Sequence, residues 1–159
     1  MSSKKLVGEV FSQLKNQKYD VRIVSIEHLH ELQEAIERHH TQGLFDDELY
    51  EEWITEFAFS APENLQNARS LIVVAAPQPQ FQVTFAWNGE SHSFIIPYNY
   101  LCYSDRRVEN MLSRILGRGK YVMANNSLPK KLLAVRSGLA KYGKNNLSYV
   151  PGIGSFHRL

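Results

Sequence analysis

One cysteine, Cys102, is the only thiol in 159 residues. That excludes an intrachain disulfide, and it excludes iron–sulfur ligation by this chain alone, since a cluster normally takes about four thiolates. Charge of either sign is also scarce in net terms: 18 Lys and Arg against 16 Asp and Glu leave +2. Such a balance does not suit a protein that wraps a phosphate backbone, although a local basic patch can still bind RNA. No run approaches the ~20 apolar residues of a membrane span. Residues 1–8 lead into an amphipathic pattern instead of the apolar block of a signal peptide. A cytoplasmic chain without membrane association is therefore expected. Repeats, low-complexity tracts and linkers are absent, and no glycine spacing matches a phosphate-cradling or dinucleotide-binding loop.

With 43% hydrophobic residues the chain can bury one proper core, so residues 1–159 are read as a single domain. Leu6, Val10, Phe11 and Leu14 recur at helical spacing behind Ser3, a candidate cap, and residues 19–26 alternate like a strand. Ser25 can cap a helix over residues 26–41, with Leu29, Leu32, Ile36 and His40 on its inner stripe, and an acidic helix is expected over residues 46–59. The apolar run 70–76 reads as a buried strand in mid-sheet. Residues 82–87 and 92–97 form a hairpin about Asn88-Gly89, whose positive φ angles suit a tight turn. Ser104 can cap a helix over 105–116, residues 120–124 are expected as a short strand, and Pro129 opens a helix that stops at Gly138. These elements do not alternate regularly. The expected fold class is accordingly α/β of the α+β type: a mixed, largely antiparallel sheet of about four or five strands flanked by helices, not a doubly wound sheet.

The most distinctive stretch is 136–146, reading RSGLAKYGKNN. Its glycines permit close backbone approach to a ligand, and Lys144, Asn145 and Asn146 can hold anionic or amide-bearing groups. The plain structural alternative is a helix cap at Gly138 and a turn at Gly143. His28, His30, His39 and His40 lack the i, i+4 spacing of helical zinc ligands and read as surface residues. His92 is placed on a solvated strand, and His157 falls just after the last glycine motif. Cys102 reads as a small core residue. Tyr98, Tyr100, Tyr103, Tyr121, Tyr142 and Tyr149 can stack on bases beside Arg106, Arg107, Arg114 and Arg118, although a basic helix face is the plainer account of those arginines.

Arg136-Ser137-Gly138-Leu139, then Tyr142-Gly143-Lys144-Asn145, then Gly154-Ser155-Phe156 resemble, in order, the glycine-rich blocks of the epoxyqueuosine reductases and related corrinoid iron–sulfur reductases. Weaker similarity extends upstream, through residues 68–74 and through 103–107, where the family carries a tyrosine, aspartate and histidine cluster. The resemblance covers about residues 68–156 and implies an N-terminal, cobalamin-binding α/β half. A ferredoxin-like C-terminal part with 4Fe-4S clusters, missing from this chain, would pass electrons to the corrinoid, and the substrate, a small molecule or a tRNA, would be reduced beside the cobalt. By the same resemblance Arg136, Gly138, Tyr142, Gly143, Lys144, Asn145, Gly154 and Ser155 are the cofactor-binding residues, and no metal is ligated by this chain.

The family's proton donor is an aspartate ahead of the proline helix, and Asn126 stands at that position. An amide cannot act as a general acid, so simple epoxyqueuosine reduction is disfavoured and a divergent substrate is implied. Asp105 is the remaining acid near the implied site, and its place at a helix start also suits the helix dipole. The catalytic residues are otherwise unassigned, and the chain by itself is expected to be inactive. The alternative is a non-enzymatic domain that keeps the fold and binds a ligand or RNA.

Overall fold

The computed structural model describes residues 3–96, 103–124 and 127–159. Helix α1 (Ser3–Asn16) is followed by strand β1 (Asp20–Ser25) and helix α2 (Glu27–Thr41). A short helix α3 (Asp47–Leu49) runs on as a wider π turn, Tyr50–Ile54. Strands β2 (Ser70–Pro77), β3 (Phe81–Trp87) and β4 (Glu90–Ile96) precede helices α4 (Tyr103–Leu116) and α5 (Lys130–Arg136). Three two-residue strands close the chain: β5 (Lys141–Tyr142), β6 (Ser148–Tyr149) and β7 (His157–Arg158).

The central sheet has the order β1-β2-β7 and is antiparallel throughout. Its register sets Val21 opposite Val74 and Ile23 opposite Ile72, so these side chains share one face. That face packs with Val10 and Leu14 of α1 and with Val108 and Leu112 of α4. On the other face Val73 and Ala75 meet Leu32 of α2, Leu133 and Ala134 of α5, and Leu139, Ala140 and Val150 beyond it. The result is a mixed α+β fold of three layers, with β2 apolar on both sides because helices cover both. Fully buried Leu14, Leu29 and Leu139 each contribute roughly 1.5–3 kcal/mol from area alone.

The β3–β4 hairpin forms where expected, turning on Asn88 (φ 51°) and Gly89 (φ 82°), but it joins no other strand among the described residues and nearly all of it is exposed. The expected sheet of four or five strands is thus three strands plus two separate hairpins. The acidic helix expected over 46–59 is cut short at Ile54; Asp46 caps it by accepting the Leu49 N–H at 3.0 Å, yet no residue of α3 or of its π turn is buried to hold a longer helix. Ser104, expected as a cap, lies inside the first turn of α4 and is buried. Residues 120–124 form no ladder. His40 leaves the inner stripe of α2: it stacks on Tyr50 at 3.6 Å and meets Asp47 at 3.0 Å.

Candidate functional site

The C-terminal glycines take their places for backbone reasons. After α5, Gly138 (φ 72°) turns the chain left-handed, with Leu139 N–H donating to the Ala134 carbonyl at 3.0 Å. Strands β5 and β6 then close over a turn in which Gly143 N–H donates to the Leu147 carbonyl at 2.7 Å. A Cβ at Gly143 would stand 2.9 Å from Asn145 Oδ1 and 3.2 Å from the Leu147 carbonyl, so a side chain there would have to displace the Asn145 amide and crowd the turn. Asn145 Oδ1 accepts the Leu147 N–H at 3.3 Å, and Lys131 Nζ reaches the Asn146 carbonyl at 3.1 Å while lying 5.6 Å above the Tyr142 ring. Partial burial pushes the Tyr142 phenol above its ordinary value.

A second turn lies between Val150 and Gly154, whose backbones exchange hydrogen bonds of 3.0 and 2.8 Å. His157 joins the two turns. Its Nδ1 lies 3.0 Å from the Gly154 carbonyl and its Nε2 lies 3.3 Å from the Ser148 hydroxyl. Because a carbonyl only accepts, Nδ1–H donates to Gly154, while Nε2 and the Ser148 hydroxyl form the second contact. The plain structural account of Gly138 as a cap and Gly143 as a turn is therefore realised. The same geometry leaves Arg136, Gly138, Tyr142, Lys144, Asn145, Gly154 and Ser155 exposed, with Gly143 half-buried. Space above Gly138 and Gly154 is open, since a Cβ there would meet nothing within 4 Å.

Strand β7 carries this block onto the central sheet, pairing His157 with Pro77 and Arg158 with Ala76. There the Arg158 guanidinium grips Asp105 of α4 from the side, with Nε and Nη2 at 2.7 to 2.9 Å from the two carboxylate oxygens. The Arg158 guanidinium holds the Asp105 carboxyl below its usual range. Ser104 hydroxyl donates to Asp105 at 3.4 Å, and Gln78 Nε2 reaches Ser104 at 3.4 Å and the Ala76 carbonyl at 3.3 Å. Asp105 is thus an ionised anchor. A carboxylate kept ionised at neutral pH is a poor proton donor, which weighs against it as the general acid.

Asp105 and Arg158 also line a cavity of about 490 Å³ between β2 and α4, walled by Ile72, Val74, Val108, Leu112 and Met123. Nothing in the sequence marked this cavity or the Asp105–Arg158 pair, because both depend on where the last residues dock.

Asn126, Cys102, Tyr98 and Tyr100 lie outside the described residues. No group of three metal-ligating side chains occurs among the described residues. His30 is 68% exposed at the side chain and near Glu34, and His92 sits on the exposed hairpin, its ring 5.5 Å from Phe85. Arg106, Arg107, Arg114 and Arg118 are exposed on and just beyond α4, where Tyr121 shares a shallow depression with Arg106 and Arg118. No described helix is long and apolar enough to cross a membrane.

Comparison of the chain with protein-family models, with curated proteins and with solved structures returns no match.

Proposed function

We propose that this chain is the N-terminal, corrinoid-binding module of a cytoplasmic oxidoreductase of the epoxyqueuosine reductase type, incomplete as an enzyme without a ferredoxin-like part that carries 4Fe-4S clusters. The observation that supports this most is the convergence of separated motif pieces: the Tyr142-Gly143-Lys144-Asn145 turn and the Gly154-Ser155-Phe156 turn are tied together through Ser148, His157 and Gly154. Four exposed donors, Arg136, Lys144, Asn145 and Ser155, suit the amide and phosphate periphery of a corrinoid, and the open space over Gly138 and Gly154 lets a ligand approach the backbone. The cavity beside α4 is of a size for a drug-sized group, so a corrinoid belongs on the loop surface.

A corrinoid, when bound, supplies the reducible cobalt centre. This chain's own residues would bind and orient it. Lys144 and Arg136 neutralise anionic substituents, Asn145 exchanges amide hydrogen bonds, and the Asp105–Arg158 pair keeps the C-terminal segment docked. His157 has both ring nitrogens engaged internally, so it acts as a tie between turns. Cluster ligation does not fit this chain, whose one cysteine is Cys102. The substrate reduced there would be a small molecule or a tRNA.

Titration of the purified chain with hydroxocobalamin tests the reading. A shift in the visible spectrum with micromolar or tighter affinity is expected, weakened about tenfold or more in a Lys144→Ala, Arg136→Ala double variant by the loss of charge-assisted bonds. No shift at millimolar ligand, in a chain shown by circular dichroism to be folded, overturns it.

A second reading, RNA binding, is favoured by the exposed arginines of α4. It expects salt-sensitive affinity that is lost when Arg106, Arg107 and Arg114 become glutamate, with no corrinoid response.

A further inference from the structure

Strand β2 is paired over six residues on one side and over two on the other. Its ladder with β1 runs from Ser70 to Ala75, whereas its ladder with β7 covers Ala76 and Pro77 alone. The direction of each backbone group follows from two flanking hydrogen bonds. Arg69 carbonyl accepts from Ile26 on the β1 side, and Gln78 N–H donates to Phe156 on the β7 side. Backbone groups alternate along a strand, so the odd-numbered residues of β2 face β1 and the even-numbered ones face β7. Ile72 and Val74 therefore direct N–H and C=O toward an edge that, among the described residues, no strand covers.

That edge opens into the 490 Å³ cavity rather than onto a flat surface. One wall is Ser104, Val108, Leu112 and Leu116 of α4, a stripe spanning about 18 Å at helical rise, room for about five extended residues. The opposite side holds Leu128 and Leu133, and Tyr121, Val122, Met123 and Ala124 form the far wall without joining a ladder. Unpaired backbone between apolar walls is costly and readily templates another strand. Around the cavity Arg158 and Asp105 are paired with each other, and Arg69, Lys120 and Lys130 stand beside them.

We propose that the open edge of β2 is a strand-acceptor site, which binds an extended apolar segment of a partner polypeptide, antiparallel to β2 and in line with β7, through the backbone of Ile72 and Val74. The added strand would be covered on both faces, as β2 is, so it takes Val, Ile or Leu at successive positions. Acidic residues at its ends complement Arg69 and Lys120. Main-chain bonds supply affinity and the walls supply selectivity. The corrinoid surface is not involved, and the two proposals stand or fall separately.

The test uses the whole chain and an acetylated, amidated hexapeptide, Glu-Val-Ile-Val-Ile-Glu, with amide hydrogen exchange read by NMR. The Ile72 and Val74 amides are expected to exchange readily in the free chain and to be protected when the peptide is added. N-methylating the peptide residues that face β2 should weaken binding about tenfold, because only main-chain bonds are lost. An Arg69→Glu, Lys120→Glu variant, altered only at exposed positions, should prefer a lysine-flanked version of the peptide. Three results overturn the proposal: protection of Ile72 and Val74 in the free chain together with residues 121–124, which would mean that the chain's own far wall closes the edge; protection that appears only as light scattering reports a dimer, which would mean a second copy; or indifference of binding to N-methylation.

Discussion

Asp105 and Arg158, 53 positions apart, are joined side-on by three hydrogen bonds of 2.7 to 2.9 Å, so that the second-last residue of the chain is clamped to the first turn of α4. This pair ties the end of the glycine-rich block to α4, beside the short β7–β2 ladder.

Loss of that clamp should be visible in the pH dependence of stability. The Asp105 carboxyl is held below its ordinary value of 3.8 chiefly by Arg158. A depressed acid contributes stability that is present above the unfolded value and is lost as pH falls through the folded one. Asp105→Asn should cost about 1 kcal/mol at neutral pH, a modest figure because the carboxylate is 40% exposed and screened by solvent. Urea unfolding at pH 7 and below pH 4 checks it: the gap between wild type and variant should narrow in acid.

Gly143→Ala and Gly138→Ala are expected to fail for different reasons. At Gly143 the new methyl meets Asn145 Oδ1 and the Leu147 carbonyl, which should open the β5–β6 turn at a cost of about 1–3 kcal/mol. At Gly138 there is space, and the cost of about 1–2 kcal/mol comes from the left-handed backbone alone. Amide chemical shifts of residues 141–149 should change broadly in the first variant and little in the second.

The β3–β4 hairpin sets Phe81, Val83, Phe85, Trp87, Phe94 and Ile96 on one face by its register, with Thr84 and Ser93 hydrogen-bonded at 2.7 Å on the other. Phe85 is 43% and Phe94 48% exposed, so the core does not depend on them. A Phe85→Thr, Phe94→Thr variant should leave the main unfolding transition within about 0.5 kcal/mol of wild type. Binding of an apolar dye should fall, as expected for a large exposed apolar patch.

Burial predicts a contrast within α1. Leu14→Ala should cost about 2–5 kcal/mol, because it opens a cavity under the sheet beside Val21. Val7→Ala, at a position 46% exposed, should cost under about 0.5 kcal/mol. Thermal and urea unfolding of both variants would distinguish them directly.

Elements whose signal is local were legible in the sequence. Period alone located α1, α2 and α4 to within a few residues, whereas the serines expected as caps fall inside α1 and α4 or one residue ahead of the cap of α2; Asn88-Gly89 marks its hairpin because two positive φ angles leave few other residues able to occupy it. The acidic segment stops short of the expected helix because α3 has periodicity but buries nothing, and residues 120–124 have strand-like composition but no strand partner among the described residues. Composition reports what a segment can form, whereas pairing requires an edge within reach.

The residues of this chain by themselves determined the layering of apolar faces, the turns at Gly138 and Gly143, and the single thiol at Cys102. Tertiary structure alone decided that β7 returns to β2, that Arg158 finds Asp105, that His157 ties two turns together, and that no strand among the described residues covers β2 beside Ile72 and Val74. The reason is physical: helical and turn preferences act over a few neighbouring residues, while the β7–β2 pairing and the Asp105–Arg158 pair join groups 53 or more positions apart, and only the packed sheet brings them together.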